Sequence, residues 1–459
     1  MRRVELGTHP SRNTSIARAT RRAALYQDRG RPVEHATYGE QLAADHPPRN
    51  SLMPPSRIAL RQSPEHRTIS VLKRGATMFV PAIFTSLLAL TASGDAGPLR
   101  VQWKAELSSP KATASTNPSE AALLALCGPA DTALVDVASL VAKRQLEGAH
   151  ALTADELAFA LRAAGDPHVW PKAWSLSGEN LDDADIASRF KSFMSSTRTL
   201  GTRRCGVSRQ RGAGDSAVAT VITVDALADL SPLPTTARVG QWINLEGVML
   251  VPASGVQVVL LGPRAAPKTV PSSLSGGRIR STFSVDQPGL WLVQVLATVS
   301  TGPRPVLEAT IFAGQKPPNE FVRAPVPGEE AGQGIKDPAE AMLRMINAAR
   351  VAEGRRPLTR DPALDTVARA HSEEMKKARL VGHDVGGGDP RARLEAAGIS
   401  SAVAGENVAS ASSLENAHRA LWASPSHRGN LLLERFTRVG VAVVQSSDGS
   451  FWVTEMFAG

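Results

Sequence analysis

From Asp337 onward the chain opens two successive helices with one device, an Asp followed by a Pro, and then closes on a β-hairpin. Asp337 reads as an N-cap with Pro338 in the first turn. Leu343, Ile346 and Ala349 share one face and Gly354 is the stop. Asp361 and Pro362 repeat the device, and Leu364, Val367, Ala368, His371 and Met375 recur at helical spacing. Val439–Val443 and Phe451–Phe457, joined across Asp448-Gly449, read as the hairpin. Residues 336–459 are therefore one α+β domain by pattern.

A chain of 459 residues is too long for a single core, and about two to four domains are expected. The formal charge is +9, but residues 1–77 carry 14 Lys and Arg against 6 Asp and Glu. The rest of the chain is close to neutral, so no nucleic-acid partner is expected. Lys73-Arg74, the apolar run Met78–Leu90 and the small residues Ala92, Ser93, Gly94 and Ala96 read as a secretory signal, 71–97, too short to span a bilayer. On that reading residues 1–70 are a disordered leader or an over-extended reading frame. On the same reading the mature chain is expected to carry no transmembrane segment and to be secreted or periplasmic. Cys127 and Cys205 are the only cysteines, and in an oxidising compartment they are expected to pair.

Residues 98–118 have linker composition. The 119–230 region reads as α+β, with helices at 119–126, 132–146 and 153–164 and strands at 206–207 and 218–225. From 236 to 313 the pattern changes to short strands, 242–251, 256–261, 279–285, 290–299 and 305–312, separated by Gly and Pro turns. This is expected to be an immunoglobulin-like β-sandwich. Residues 314–335 read as a second linker before the last domain.

Chemistry concentrates in the last domain. His371 falls on an apolar helix face, where a packed, hydrogen-bonded core role is the expectation. His383 sits between Gly382 and the Gly386-Gly387-Gly388 run, on a loop where a side chain can face a cleft. Ser412 and Glu415 are spaced as a capping box for a helix carrying Leu414, Ala417, Leu421 and Trp422. Ser424-Pro425 breaks that helix ahead of His427 and Arg428.

The motifs Asn347-x-x-Arg350, Ala368-x-x-His371-Ser372-x-x-Met375, Gly382-His383, Gly405-Glu406-Asn407, Trp422-x-Ser424-Pro425-x-His427-Arg428-x-Asn430-Leu431 and Val439-Gly440-Val441 occur in order. Together they resemble the bacterial branch of the CAP (SCP/PR-1-like, cysteine-rich secretory protein) superfamily. The resemblance covers about a quarter of the chain. It implies an α-β-α sandwich whose cleft is lined by His383, Glu406 and His427, with Asn407, Trp422, Arg428 and His371 in support. Pro425 stands where eukaryotic members carry a second glutamate, so their four-residue site is not reproduced. Gly178-Glu179-Asn180, Phe190, Phe193 and Cys205-Gly206-Val207 are similar enough to the C-terminal order to suggest a degenerate CAP-like copy at 119–230.

Two imidazoles and a carboxylate can hold Zn²⁺, act as general acid and base, or only shape a polar cleft. The chain has no nucleophile elbow and no His-Glu-x-x-His. Three readings follow: a non-enzymatic module binding a lipid, cell-wall glycan or extracellular protein; a hydrolase of peptide or cell-wall bonds; or a structural or adhesive envelope protein. The binding and hydrolase readings need His383, Glu406 and His427 to meet in a solvent-reachable hollow; the structural reading does not.

Overall fold

The computed structural model describes residues 97–109, 117–195, 198–264 and 266–459. The proposed leader and nearly all of the proposed signal lie outside them. The first region contains α1 (Pro118–Cys127), α2 (Thr132–Leu146), α3 (Ala154–Ala163), β1 (Lys172–Glu179), α4 (Asp183–Ser195), β2 (Thr202–Arg211) and β3 (Ser216–Ala226). The strands form an antiparallel sheet in the order β1-β3-β2. Leu134, Val137 and Val141 of α2 pack with Leu157 and Leu161 of α3 on Ile222 and Val224. On the opposite face Leu123, Ile186 and Phe190 of α1 and α4 pack on Val207, Ala219 and Val221. Alternation along the strands assigns side chains to the two faces. A disulfide joins Cys127 of α1 to Cys205 of β2. The sequence reading missed β1, because its residues are half exposed and carry little apolar alternation.

The middle region follows: β4 (Gln241–Met249), β5 (Gly255–Leu261), β6 (Arg278–Val285), β7 (Gly289–Val299) and β8 (Gly302–Ala313). One sheet runs Lys268–Val270, β5, β7, β8, Thr236–Ala237, and the other runs Ser272–Ser275, β6, β4, Ala228–Leu230. Their inward residues, among them Ile243, Leu245, Val258, Leu260, Ile279, Phe283, Trp291 and Ile311, make one core. Within β6 every second residue is buried, as its period-2 pattern predicts.

The C-terminal region contains α5 (Pro338–Ala352), α6 (Pro362–Ala378), α7 (Pro390–Ala396), β9 (Ala404–Ala411), α8 (Leu414–Ala423), α9 (Pro425–Leu432), β10 (Arg438–Gln445) and β11 (Phe451–Ala458). Its sheet order is Thr359–Arg360, β10, β11, β9. Met342, Ile346, Leu421 and Trp422 cover one face through Val439, Val441, Val453 and Phe457. Leu364, Val367, Ala368 and Leu394 cover the other through Ala442, Met456 and Ala458. The layers are helix, sheet, helix. Asp337 and Asp361 cap α5 and α6 as expected, and Asp389-Pro390 opens α7 the same way. The cap of α8 is Ser413, whose side chain accepts from the Asn416 N–H, rather than Ser412 of the expected capping box. Ser412 bonds the Asn416 side chain instead.

The first and last regions repeat one plan. The core strands come in the same order and pair alike, and α2 lies across its sheet as α6 does across its own. The Asp131 N–H donates to Cys205 O at 2.8 Å, and the Asp361 N–H to Val439 O at 2.9 Å. One residue further along each strand is a glycine, Gly206 and Gly440. A Cβ on either would collide with the backbone of Leu134 or Leu364, three residues after the capping Asp. In this register Ile222 corresponds to Met456, so Ala173, opposite Ile222, stands where Glu406 stands opposite Met456. The Gly178-Glu179-Asn180 match was therefore out of register. Glu179 lies six residues from the equivalent place.

Neither stretch with linker composition is loose where it is described. Leu99 and Leu107 are buried, Phe321 N donates to Leu99 O, and Glu106–Leu107 pair with Leu233–Pro234. Pro and Gly there mark turns in a packed path.

Candidate functional site

Glu406 enters the site from β9, His383 from the loop after α6, and Arg393 from α7. Glu406 is 2% exposed and both its oxygens are taken. Arg393 Nη1 donates to Oε2 at 2.8 Å and Nη2 to Oε1 at 3.1 Å. His383 Nδ1 lies 2.8 Å from Oε1. Burial works against the Glu406 charge, but the His383 hydrogen bond and the Arg393 guanidinium overcome it and hold the pKa at about 2. An ionised carboxylate only accepts, so His383 Nδ1 carries the proton that meets Oε1.

His371 is fully buried, and its Nε2–H donates to Gly382 O at 2.9 Å, with Glu406 Oε1 at 3.8 Å. Burial lowers its pKa. It supports the loop that carries His383, in keeping with its place on the apolar face. His427 lies in α9 and is half-buried. Burial, and secondarily the charge of His383, push its pKa down to about 3, so it is neutral across the physiological range.

Asn407, beside Glu406, donates to His427 O at 3.2 Å and to Glu455 Oε2 at 2.9 Å. Asn430 donates to Asn407 Oδ1 at 3.0 Å and to Glu406 O at 3.2 Å, which ties α9 to β9. Burial raises Glu455 to about 8, partly offset by Asn407, so its carboxyl is protonated at neutral pH. Trp422 packs in the core. Arg428 Nε donates to Trp422 O at 2.7 Å and the guanidinium lies 4.4 Å over its ring.

The sequence selected His383, Glu406, His427 and their supports but missed Arg393 and Glu455, and it gave Asn430, present in the quoted motif, no role at the site. Asp389-Pro390 announces the short helix that carries Arg393, yet nothing local says which of its two arginines turns inward. The expected solvent-reachable hollow is also corrected. His383 is 5% exposed because the turn between β7 and β8 covers it, with Thr301 O accepting from the His383 and Asp384 N–H groups. Gln294 of β7 adds bonds to Ser424 Oγ at 2.9 Å and from Ser426 N at 3.1 Å.

The trio does not suit Zn²⁺. Among the described residues, ligand atoms from three His, Cys, Asp or Glu side chains gather within 4.8 Å of one another only at Asp131, Asp166 and His168. Glu406 would have to shed Arg393 to coordinate.

Residues 343–457 match the family described as CAP, the cysteine-rich secretory protein family. The C-terminal region is a CAP domain of bacterial type. Over 149 residues the chain is 33% identical to the uncharacterized protein YkwD of Bacillus subtilis (strain 168), which covers 31% of this chain and 57% of that protein. The chain thus spans little more than half the length of this curated relative. Among solved structures it is similar to an outer surface protein of Borrelia burgdorferi, with 22% identity, 27% of this chain and 92% of that one covered, and a TM-score of 0.26. It is also similar to an extracellular protein containing an SCP domain from Bacillus anthracis, with 18% identity, 50% and 85% covered, and a TM-score of 0.25.

Proposed function

We propose that this chain is an exported protein whose CAP domain binds a ligand without catalysing a reaction on it. The carrying observation is that both oxygens of Glu406 are held by Arg393 and His383. A carboxylate so occupied is a poor general base and a poor metal ligand, so polar contact with a ligand falls to the half-buried, neutral His427 ring. The Cys127–Cys205 disulfide supports export to an oxidising compartment, and no described helix is long and apolar enough to cross a membrane. The ligand class is a lipid, cell-wall glycan or extracellular protein; a separate concavity of about 370 Å³, lined by Trp103, Phe159, Leu292, Phe312, Phe321 and Pro425 and by none of His383, Glu406 and His427, is apolar enough to take the body of a lipid. In the domain plan we adopt, 119–230 is a CAP-like copy that has lost the site glutamate, and 236–313 is an immunoglobulin-like spacer seated on the CAP domain.

Mass spectrometry of molecules co-purifying with the full-length chain tests this reading. A small amphipathic molecule retained by wild type and reduced at least about tenfold in His427→Ala is the expected result. Turnover of peptide or peptidoglycan substrates that disappears in Glu406→Gln would replace the binding reading with hydrolysis.

A further inference from the structure

Asp131, Asp166 and His168 are sealed in the first region at 1%, 0% and 0% exposure, and one ligand-type atom from each lies within 4.8 Å of the others. Asp131 is the N-cap of α2. Its Oδ1 accepts from the Ala133 and Leu134 N–H groups at 2.9 and 3.3 Å, and its Oδ2 has no partner. Asp166 Oδ1 lies 2.5 Å from His168 Nδ1, and its Oδ2 accepts from His168 N–H at 3.2 Å. Arg162 Nη1 is 4.0 Å from Asp166 Oδ2 but donates to the Asp166 carbonyl at 2.6 Å. The remaining ring nitrogen, His168 Nε2, is buried without a hydrogen bond and faces Asp229 Oδ1 at 3.8 Å.

The repeat of the plan at the other end of the chain shows what Asp131 has lost. Asp361 caps α6 with Oδ1 in the same way, but its Oδ2 is paired with Arg438 at 2.5 Å. The arginine two residues before Gly440 has its counterpart two residues before Gly206. That counterpart, Arg204, bonds Asp229 at 2.6 Å instead. Asp131 is left with a bare carboxylate oxygen in a dry interior, a costly arrangement unless something charged meets it.

We propose that Asp131 Oδ2, Asp166 and His168 Nδ1 bind one divalent cation of the Zn²⁺ or Mn²⁺ class. One imidazole and two carboxylates suit such a borderline ion better than Ca²⁺, which prefers an all-oxygen shell. The cation takes the place of the proton between Nδ1 and Asp166. His168 Nε2–H then turns to Asp229, the carboxylate backing usual behind a ligating histidine, and Arg204 holds Asp229 in place. The site is structural. It is closed to substrate and joins the start of α2, the turn after α3 and, through the His168–Leu307 bridge, the edge of the middle region.

The test uses the full-length chain expressed with and without added Zn²⁺, passed over chelator, then assayed for bound metal and for its unfolding midpoint. Asp131→Asn is the informative variant, because its amide oxygen still caps α2 while the ligand oxygen is gone. Wild type and His427→Ala should each hold about one equivalent and gain about 5 °C with Zn²⁺; Asp131→Asn should hold less than about a tenth and gain nothing. Wild type without metal, or undiminished metal in Asp131→Asn, overturns the proposal. Should Asp131→Asn fail to fold, X-ray absorption of the wild-type Zn decides. One imidazole with oxygen donors supports the site; two or more imidazoles place the ion elsewhere and refute it.

Discussion

Thr301, in the turn between β7 and β8, accepts through its one carbonyl from the N–H groups of His383 at 3.1 Å and Asp384 at 3.2 Å. A residue of the middle region thereby sets the backbone of a site residue in the CAP domain. The neighbouring Gly302 has φ +87, and a Cβ there would lie 3.1 Å from His383 Cβ. Gly302→Val should strain the turn and push on His383, costing about 1–3 kcal/mol. Denaturant titration checks the cost, and the His383 NMR signals should move in the same variant.

Glu406 gives an acid-side prediction. Its folded pKa, about 2, lies below the unfolded value, so its stabilisation is present above about pH 4.5 and fades as pH falls toward 2. Glu406→Gln should flatten the pH dependence of the urea midpoint in that window. It should also cost about 3–5 kcal/mol at pH 7, because Arg393 is left buried and unpaired.

Glu455 gives the opposite sign. Its folded pKa is raised to about 8, so the folded state holds a proton that the unfolded state has released, and stability falls from about pH 4.5 to 8. Glu455→Gln keeps the shape and removes that slope. The variant should match wild type near pH 5 and exceed it by at least about 1 kcal/mol at pH 8, measured by urea unfolding.

The two strand glycines test the shared plan. Gly206→Ala and Gly440→Ala each drive a methyl into the backbone at the start of the crossing helix. Each should destabilise its own region by about 2 kcal/mol or more, and hydrogen exchange should localise the loss to α2 or to α6 respectively.

Removing the disulfide with Cys127→Ala and Cys205→Ala should cost about 4 kcal/mol for a separation of 78 residues. The loss should appear in the unfolding of the first region and leave His383 and Glu406 undisturbed.

Local signals in the chain were enough for the helix starts at Asp337 and Asp361, the alternation of β6, the terminal hairpin and the CAP motifs. Each depends on neighbours within one turn or on a period of two, and such patterns survive in a linear text. His383, Glu406 and His427 were named by the family resemblance rather than by any local period. Partner choice was not legible: which arginine of α7 reaches Glu406, that Thr301 lies over His383, and that Arg204 abandons Asp131 where Arg438 keeps Asp361. These pairings join residues brought together only when the regions pack, and burial then decides which charges must find each other. The sequence by itself determined the elements and the chemical groups available. Tertiary packing decided which groups are left to act, because a side chain's charge and contacts depend on what excludes water from it.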